Sequence, residues 1–314
     1  MRAFAVTDFE QPGSVTTLPD PEPGEGEVRI RVRSASVNPF DGGAAAGSTR
    51  SWADTRLPFV PGTDAAGEID SVGPGVDAFK PGDRVATNAG GKGFWGAGTF
   101  AELVVVAADA AAHMPDGMDF DVAASVPQTG LTALGAMDAL TPAAGQVVVV
   151  TGATGGVGGW FTQLATLAGA KVVALARPEN ADYARELGAA EVVDHTTPDL
   201  VDRLQAAHPG GVDALADFSA SPELVAALSA VVRDGGRVAA SIGKARDAVP
   251  NERGLTAHAA NMVERSRLPE LLEPLAAGRI KPPRLTIVSL EQAGEALAQS
   301  RQKQGVGKTV IRIE

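Results

Sequence analysis

The sequence predicts an α/β chain in two parts: a small β-barrel or sandwich, then a doubly wound parallel sheet. Three observations carry the prediction. The first third consists of short runs with a side-chain period of two, set between Gly and Pro turns. From about Asp119, short apolar runs alternate with longer helical ones, the rhythm of buried strands joined by crossover helices. Within that second part, "VVVVTGATGGVGGW" (Val147 to Trp160) passes from an apolar strand through a glycine turn into a helix.

The elements follow in order. "EVRIRVRSASV" (Glu27 to Val37) alternates apolar and charged residues as a half-buried strand does. "GEIDSVGPGVDAFKPGDRVAT" (Gly67 to Thr87) and "GTFAELVVVAAD" (Gly98 to Asp109) add short strands around tight turns. "VVVV", "KVVALAR", "AEVVDH", "VDALADFSA" and "GRVAASIG" are the parallel strands, with helical patterns such as "ADYARELG" and "PELVAALSAVVRDGG" between them. "LPELLEPLAAGRI" (Leu268 to Ile280) reads as a helix, and "KTVIRIE" (Lys308 to Glu314) as an edge-type strand returning to the first part.

Composition narrows the function classes. A net charge of −11, without a Lys/Arg cluster, disfavours a nucleic-acid binder. The absence of cysteine excludes disulfides and thiolate metal sites. No apolar run reaches the length of a membrane span and no signal peptide opens the chain, so no membrane association and a cytoplasmic location are the expectation.

The glycine turn suits a dinucleotide, because glycines admit the pyrophosphate close to the backbone and the helix start offers free N–H donors. Thr154, Gly155, Gly156 and Val157 are the residues expected there. The segment "ATGGVG" breaks the G-x-G-x-x-G pattern at Ala153. "TGATGGVG" also fits the turn of short-chain dehydrogenases, but the tyrosine they need would have a lysine four residues on, and Tyr183 has Leu187.

In order along the chain stand "SVNPFDGG", "PGTDAAGEIDSVGPGV", "KPGDRV", "TFAELVVV", "QTGLTAL", the glycine turn, "LGAAEVVDH", "GGRVAASIG" and "GKTVIRI". In these the chain resembles the medium-chain dehydrogenase/reductase superfamily, in its zinc-free quinone oxidoreductase-like branch. The resemblance implies a GroES-like catalytic β-barrel domain at 1–118, a Rossmann nucleotide-binding domain at 119–254, and a return to the catalytic domain at 255–314. It further implies a homodimer paired across the "GRVAASIG" strand as a sheet edge.

NAD-specific sheets place an acid at the end of the second strand, about twenty residues beyond the glycines. Here that place is Ala176, followed by Arg177, whose guanidinium would pair with a 2′-phosphate. NADPH is therefore the expected cofactor. Glu179 reads as a helix-start charge. The resemblance adds His195 near the adenosine phosphate, Phe218 and Ser219 with Ser241, Ile242 and Gly243 at the strand ends flanking the nicotinamide, and Thr129 just before a helix start on the nicotinamide side. Lys308 reads as a cofactor contact or, more simply, a solvated strand residue.

The four histidines are widely spaced, and no metalloprotease or serine-hydrolase motif occurs. "GVGKT" (Gly305 to Thr309) is not a P-loop, because its first glycine would fall at Gln302. An acceptor that spreads its own developing charge, a quinone or an α,β-unsaturated carbonyl, fits a metal-free site. Asn38 is the polar candidate for catalysis by resemblance, with a loop-holding role as its alternative. Asp41 reads as structural. Many quinone oxidoreductases carry a tyrosine five residues beyond that asparagine; here Gly43 stands in its place. Trp52, Phe94 and Trp95 are candidates for an apolar substrate cleft, or else shield the barrel edge. Two alternatives stay open: a specialised enoyl reductase or tailoring enzyme of a biosynthetic pathway, and an NADPH-binding sensor without turnover.

Overall fold

The computed structural model describes residues 1–51, 55–90, 97–241, 243–250, 253–302 and 305–313. The chain divides into two compact units, one formed by Met1–Gln128 with Glu264–Glu314, the other by Thr129–Val263.

In chain order the strands of the first unit are β1 (Arg2–Ala5), β2 (Ser14–Thr17), β3 (Glu27–Ser36), β4 (Asp64–Val72), β5 (Arg84–Asn88), β6 (Leu103–Ala107) and β7 (Ala111–His113). The second unit supplies β8 (Val147–Thr151), β9 (Lys171–Leu175), β10 (Glu191–Val193), β11 (Val212–Asp217), β12 (Val232–Ala240) and β13 (Thr256–Ala259). β14 (Leu285–Ser289) and β15 (Lys308–Arg312) belong to the first unit again.

The first unit is built on a sheet of order β14-β15-β3-β4-β5-β7, with β6 also paired to β3. Period-two patterning explains β3. Val28, Ile30 and Val32 are buried, and the alternate Arg29, Arg31 and Arg33 reach acids on β4. β15 lies between β14 and β3, so "KTVIRI" is an interior strand and not the edge strand expected.

The second unit is a parallel sheet of order β10-β9-β8-β11-β12-β13. From β8 the chain moves outward through the helices Gly156–Leu167 and Ala181–Glu186 to β9 and β10. It then crosses to β11 on the other side of β8. The strand order therefore reverses between β8 and β11, where open α/β sheets bind ligands at their carboxyl ends. Val148, Val149 and Val150 are all buried, as a strand covered on both faces requires.

Three further expectations need correction. β12, which carries "GRVAA", is interior, and β13 forms the edge beside it. Thr129 lies inside the helix Pro127–Leu140, since Pro127 starts it earlier than the sequence suggested. The unit boundaries fall later than 118/119 and 254/255. The stretch after Asp119 stays with the first unit because Asp121 accepts a hydrogen bond from Ser34 Oγ (2.5 Å) on β3 and pairs with Arg312 on β15. Residues 256–259 stay with the second because they add its last strand.

Candidate functional site

The site builds from the strand ends of the parallel sheet. At the end of β8, Gly152 (φ +62°) turns the chain, and a Cβ there would meet Ser219 at 3.0 Å. Gly158 packs so closely on this turn that a Cβ would fall 2.1 Å from Gly152 O. Gly155 precedes the helix, and its carbonyl accepts the first helical bond, from Gly159 N–H at 2.9 Å. The N–H groups of Gly156, Val157 and Gly158 thus stand ahead of the helix ladder, with the positive end of its dipole. Thr154 is buried, while Gly155, Gly156 and Val157 are half-exposed. Such a cradle fits a pyrophosphate.

Around it lie the other strand ends. Arg177 is exposed just past β9. Ala176 N–H bonds Val193 O (3.1 Å), so the ends of β9 and β10 lie together, with half-buried His195 just beyond β10. Glu179 is exposed in the 3₁₀ turn Pro178–Asn180, as expected.

At the end of β11, Asp217 is fully buried and acts as a hub. Its Oδ1 accepts from Thr151 Oγ1 (2.5 Å) and from Ala220 N–H (2.8 Å), while Thr151 Oγ1 accepts from Phe218 N–H (3.0 Å). Ser241 N–H bonds Asp217 O (3.0 Å), which joins the end of β12 to the same knot. Phe218, Ser219 and Ser241 are therefore fixed beside the glycine turn. Gly243 opens the 3₁₀ turn Gly243–Ala248. Thr129 is buried, its hydroxyl accepting from Trp160 Nε1 (3.2 Å). Ile242, Trp52, Phe94 and Trp95 lie outside the described residues. Sequence reasoning passed over Asp217 and Thr151; a polar residue closing an otherwise apolar parallel strand was their signal.

The first unit holds a separate polar cluster. Asn38 and Asp64 are 2% and 0% exposed, and Lys308, expected in solvent, is 5% exposed. The Lys308 ammonium donates to Val37 O (3.0 Å) and to Asn38 Oδ1. Asn38 Nδ2 donates to Asp64 Oδ2 (2.9 Å) and Thr63 Oγ1 (3.2 Å). Both amide hydrogens and the amide oxygen of Asn38 are thereby engaged inside the unit. Asn38 thus ties the start of the helix Pro39–Ala45 to Thr63, Asp64 and Lys308.

Asp64 Oδ1 accepts from Asn88 Nδ2 (2.9 Å) and Gln128 N–H (3.0 Å), and Asp41 Oδ2 accepts from Asn38 N–H (2.7 Å). Burial pushes the Asp41 carboxyl up to about 7, and the neighbouring Asp64 adds to the shift. Burial likewise raises Asp64, against the pull of Lys308, and lowers Lys308 itself. Among the described residues no group of three His, Cys, Asp or Glu side chains is arranged to hold a metal. The buried carboxyls of Asp41 and Asp64 share the charge of the Lys308 ammonium.

Comparison with known proteins gives two matching family models: an alcohol dehydrogenase GroES-like domain over residues 24–116, and a zinc-binding dehydrogenase over 156–265. A chloroplast envelope quinone oxidoreductase homolog of Arabidopsis thaliana is 37% identical over 175 residues, 53% of this chain and 51% of that protein. A quinone oxidoreductase of Rattus norvegicus is 36% identical over 188 residues, 58% of this chain and 54% of the other. The chain thus spans about half the length of the curated relatives it matches. A crystal structure described as an NAD-dependent alcohol dehydrogenase superposes over 100% of both chains, with a TM-score of 0.90 at 31% identity.

Proposed function

The chain belongs to the medium-chain dehydrogenase/reductase superfamily, and on that premise we propose that it is a zinc-independent, NADPH-dependent reductase of quinones or α,β-unsaturated carbonyls. The single observation that carries this reading is the dinucleotide cradle at the strand reversal, with Ala176 where NAD would want an acid and Arg177 next to it. The quinone oxidoreductases among its relatives support the acceptor class.

NADPH, when bound, supplies the hydride. The chain's own part is placement. The first-turn N–H groups at 156–158 would hold the pyrophosphate, Arg177 would pair with the 2′-phosphate, and His195 would add a second contact near it. Phe218, Ser219 and Ser241, on backbone fixed by Asp217 and Thr151, would border the nicotinamide. For an enone, one hydride and one proton are added across the carbon–carbon bond. For a quinone, two electrons and two protons give the hydroquinone. A proton from a side chain or from water completes the reduction, and the acceptor's own conjugation carries the charge until it arrives.

The test is loss of reduced-cofactor absorbance with a panel of quinones and enones, NADPH and NADH compared. Turnover that prefers NADPH supports the proposal. NADPH binding without turnover of any acceptor overturns it in favour of a binding protein.

A further inference from the structure

The parallel ladder between β8 and β11 ends at the pair Val150 and Ala216. The next residue on each strand is polar and buried: Thr151 is 3% exposed and Asp217 0%. Polar groups closing buried apolar strands are costly unless they are bonded, and these two bond each other and the loop that follows β11. Thr151 Oγ1 donates to Asp217 Oδ1 (2.5 Å) and itself accepts from Phe218 N–H (3.0 Å) and Ser219 N–H (3.3 Å). Asp217 Oδ1 also accepts from Ser219 N–H (3.3 Å) and Ala220 N–H (2.8 Å). Three consecutive backbone donors therefore turn inward on one hydroxyl and one carboxylate oxygen.

That inward turn fixes what faces out. The peptide bonds of this loop are trans, so each C=O opposes the N–H of its own peptide plane. Phe218 O and Ser219 O are thereby directed away from Thr151 and Asp217, and among the described residues no donor reaches either. Asp217 O is taken by Ser241 N–H (3.0 Å), which ties the loop to β12 as well. Ser219 lies against the glycine turn, where a Cβ at Gly152 would meet its Cβ and Oγ at 3.0 Å. Two carbonyl acceptors are thus held in fixed directions beside the dinucleotide cradle, all within the second unit.

We propose that Thr151 and Asp217 are positioning residues for the reducing end of the cofactor, acting through the 218–219 backbone that they hold in place to receive a planar carboxamide donor. The proposal rests on the dinucleotide reading of the glycine turn and adds to it the side chains that orient the ring. The pyrophosphate sets where the cofactor lies; the loop sets which way its nicotinamide faces. Hydride transfer depends steeply on that orientation, since a misplacement of about 1 Å costs on the order of a hundredfold in rate.

Thr151→Val removes the hydroxyl at nearly constant volume, and Thr151→Ser keeps it. Calorimetric titration of the full chain compares NADPH with 2′-phospho-ADP-ribose, the same molecule without its nicotinamide. In the parent NADPH is expected to bind roughly tenfold tighter, the scale of one or two hydrogen bonds. Thr151→Val brings that ratio close to one by weakening NADPH alone, and Thr151→Ser restores most of it. At saturating NADPH, kcat with any active acceptor falls roughly tenfold or more in Thr151→Val. A purely structural role would weaken both ligands alike and leave the ratio where it was. That result, or a parent that binds the two equally, overturns the proposal. Where the valine variant does not fold, Thr151→Ala removes the same oxygen and is read the same way. Failure of the reductase reading looks different: the ratio collapses as expected while no acceptor is turned over. If NADH is the cofactor bound, NADH and ADP-ribose give the same comparison, and only the Arg177 assignment falls.

Discussion

Lys308 and Asn38 are joined by a hydrogen bond from the lysine ammonium to the asparagine side-chain oxygen, across 270 residues of sequence and inside the core of one unit. The ammonium is the positive charge that Asp64 and Asp41 share in this cluster. Its loss strands two buried carboxyls.

Replacing Lys308 with Met should therefore destabilise the first unit by about 1–3 kcal/mol, because Val37 O and Asn38 Oδ1 lose a buried charged donor and the two carboxyls lose their nearby positive charge. Urea denaturation measures it. Adding Asp64→Asn to Lys308→Met should restore part of the loss, because the uncompensated charge goes with it. A single variant as stable as the parent would show that the cluster is not held by charge.

Asp41 predicts a pH dependence. Its folded pKa is raised from 3.8 to about 7, so between those values the folded state binds more protons than the unfolded one. Its contribution to stability is complete below pH 3.8 and is lost as pH rises through 7. Asp64, raised in the same direction, adds to the fall. Asp41→Asn should flatten the slope in this window relative to the parent; parallel curves of denaturation free energy against pH would refute the assignment.

At the cofactor end, Arg177→Ala should weaken NADPH binding by roughly tenfold while leaving NADH nearly unchanged, since an exposed guanidinium acts on the 2′-phosphate through a screened contact. The NADPH effect should shrink in high salt. Fluorescence titration of both reduced cofactors decides it, and equal losses for the two would move the phosphate site elsewhere.

The glycine turn gives a paired prediction. Gly158→Ala places a methyl 2.1 Å from Gly152 O and should abolish cofactor binding along with stability of the turn. Gly159→Ala meets Leu187 Cδ1 at an ordinary 3.5 Å and gains up to about 1 kcal/mol of helix propensity, so it should bind normally and melt no lower. If both variants behaved alike, close packing at 158 would not be what the turn requires.

The alternation of strands and helices, and with it the cradle, was readable because parallel strands are uniformly apolar and glycine turns are local. What stayed hidden was non-local. Lys308 falls in the polar phase of "KTVIRI", which normally faces water; only the placement of β15 between β14 and β3 turns that phase toward Asp64 and Asn38. "TAHA" of β13 carries no β-branched apolar run, so the sheet seemed to stop at β12. Asp121 has the look of a helix-start acid until Ser34 and Arg312 are seen around it.

The position of β15 also governs when this protein can exist. The second unit is one unbroken stretch, 129–263, and has all its strands once that stretch is made. The first is not: β6 pairs with residues 27–31 of β3, but residues 34–36 wait for 310–312 of β15 before their partner on that side arrives. During synthesis at about 5–20 residues per second, its open edge is exposed for tens of seconds while the later segment acquires its shape. Chains cut short before residue 308 should therefore reach the cell as a finished nucleotide-binding half tethered to a sheet with an unpaired, sticky edge, and be cleared by chaperones and proteases rather than accumulate as a smaller soluble form.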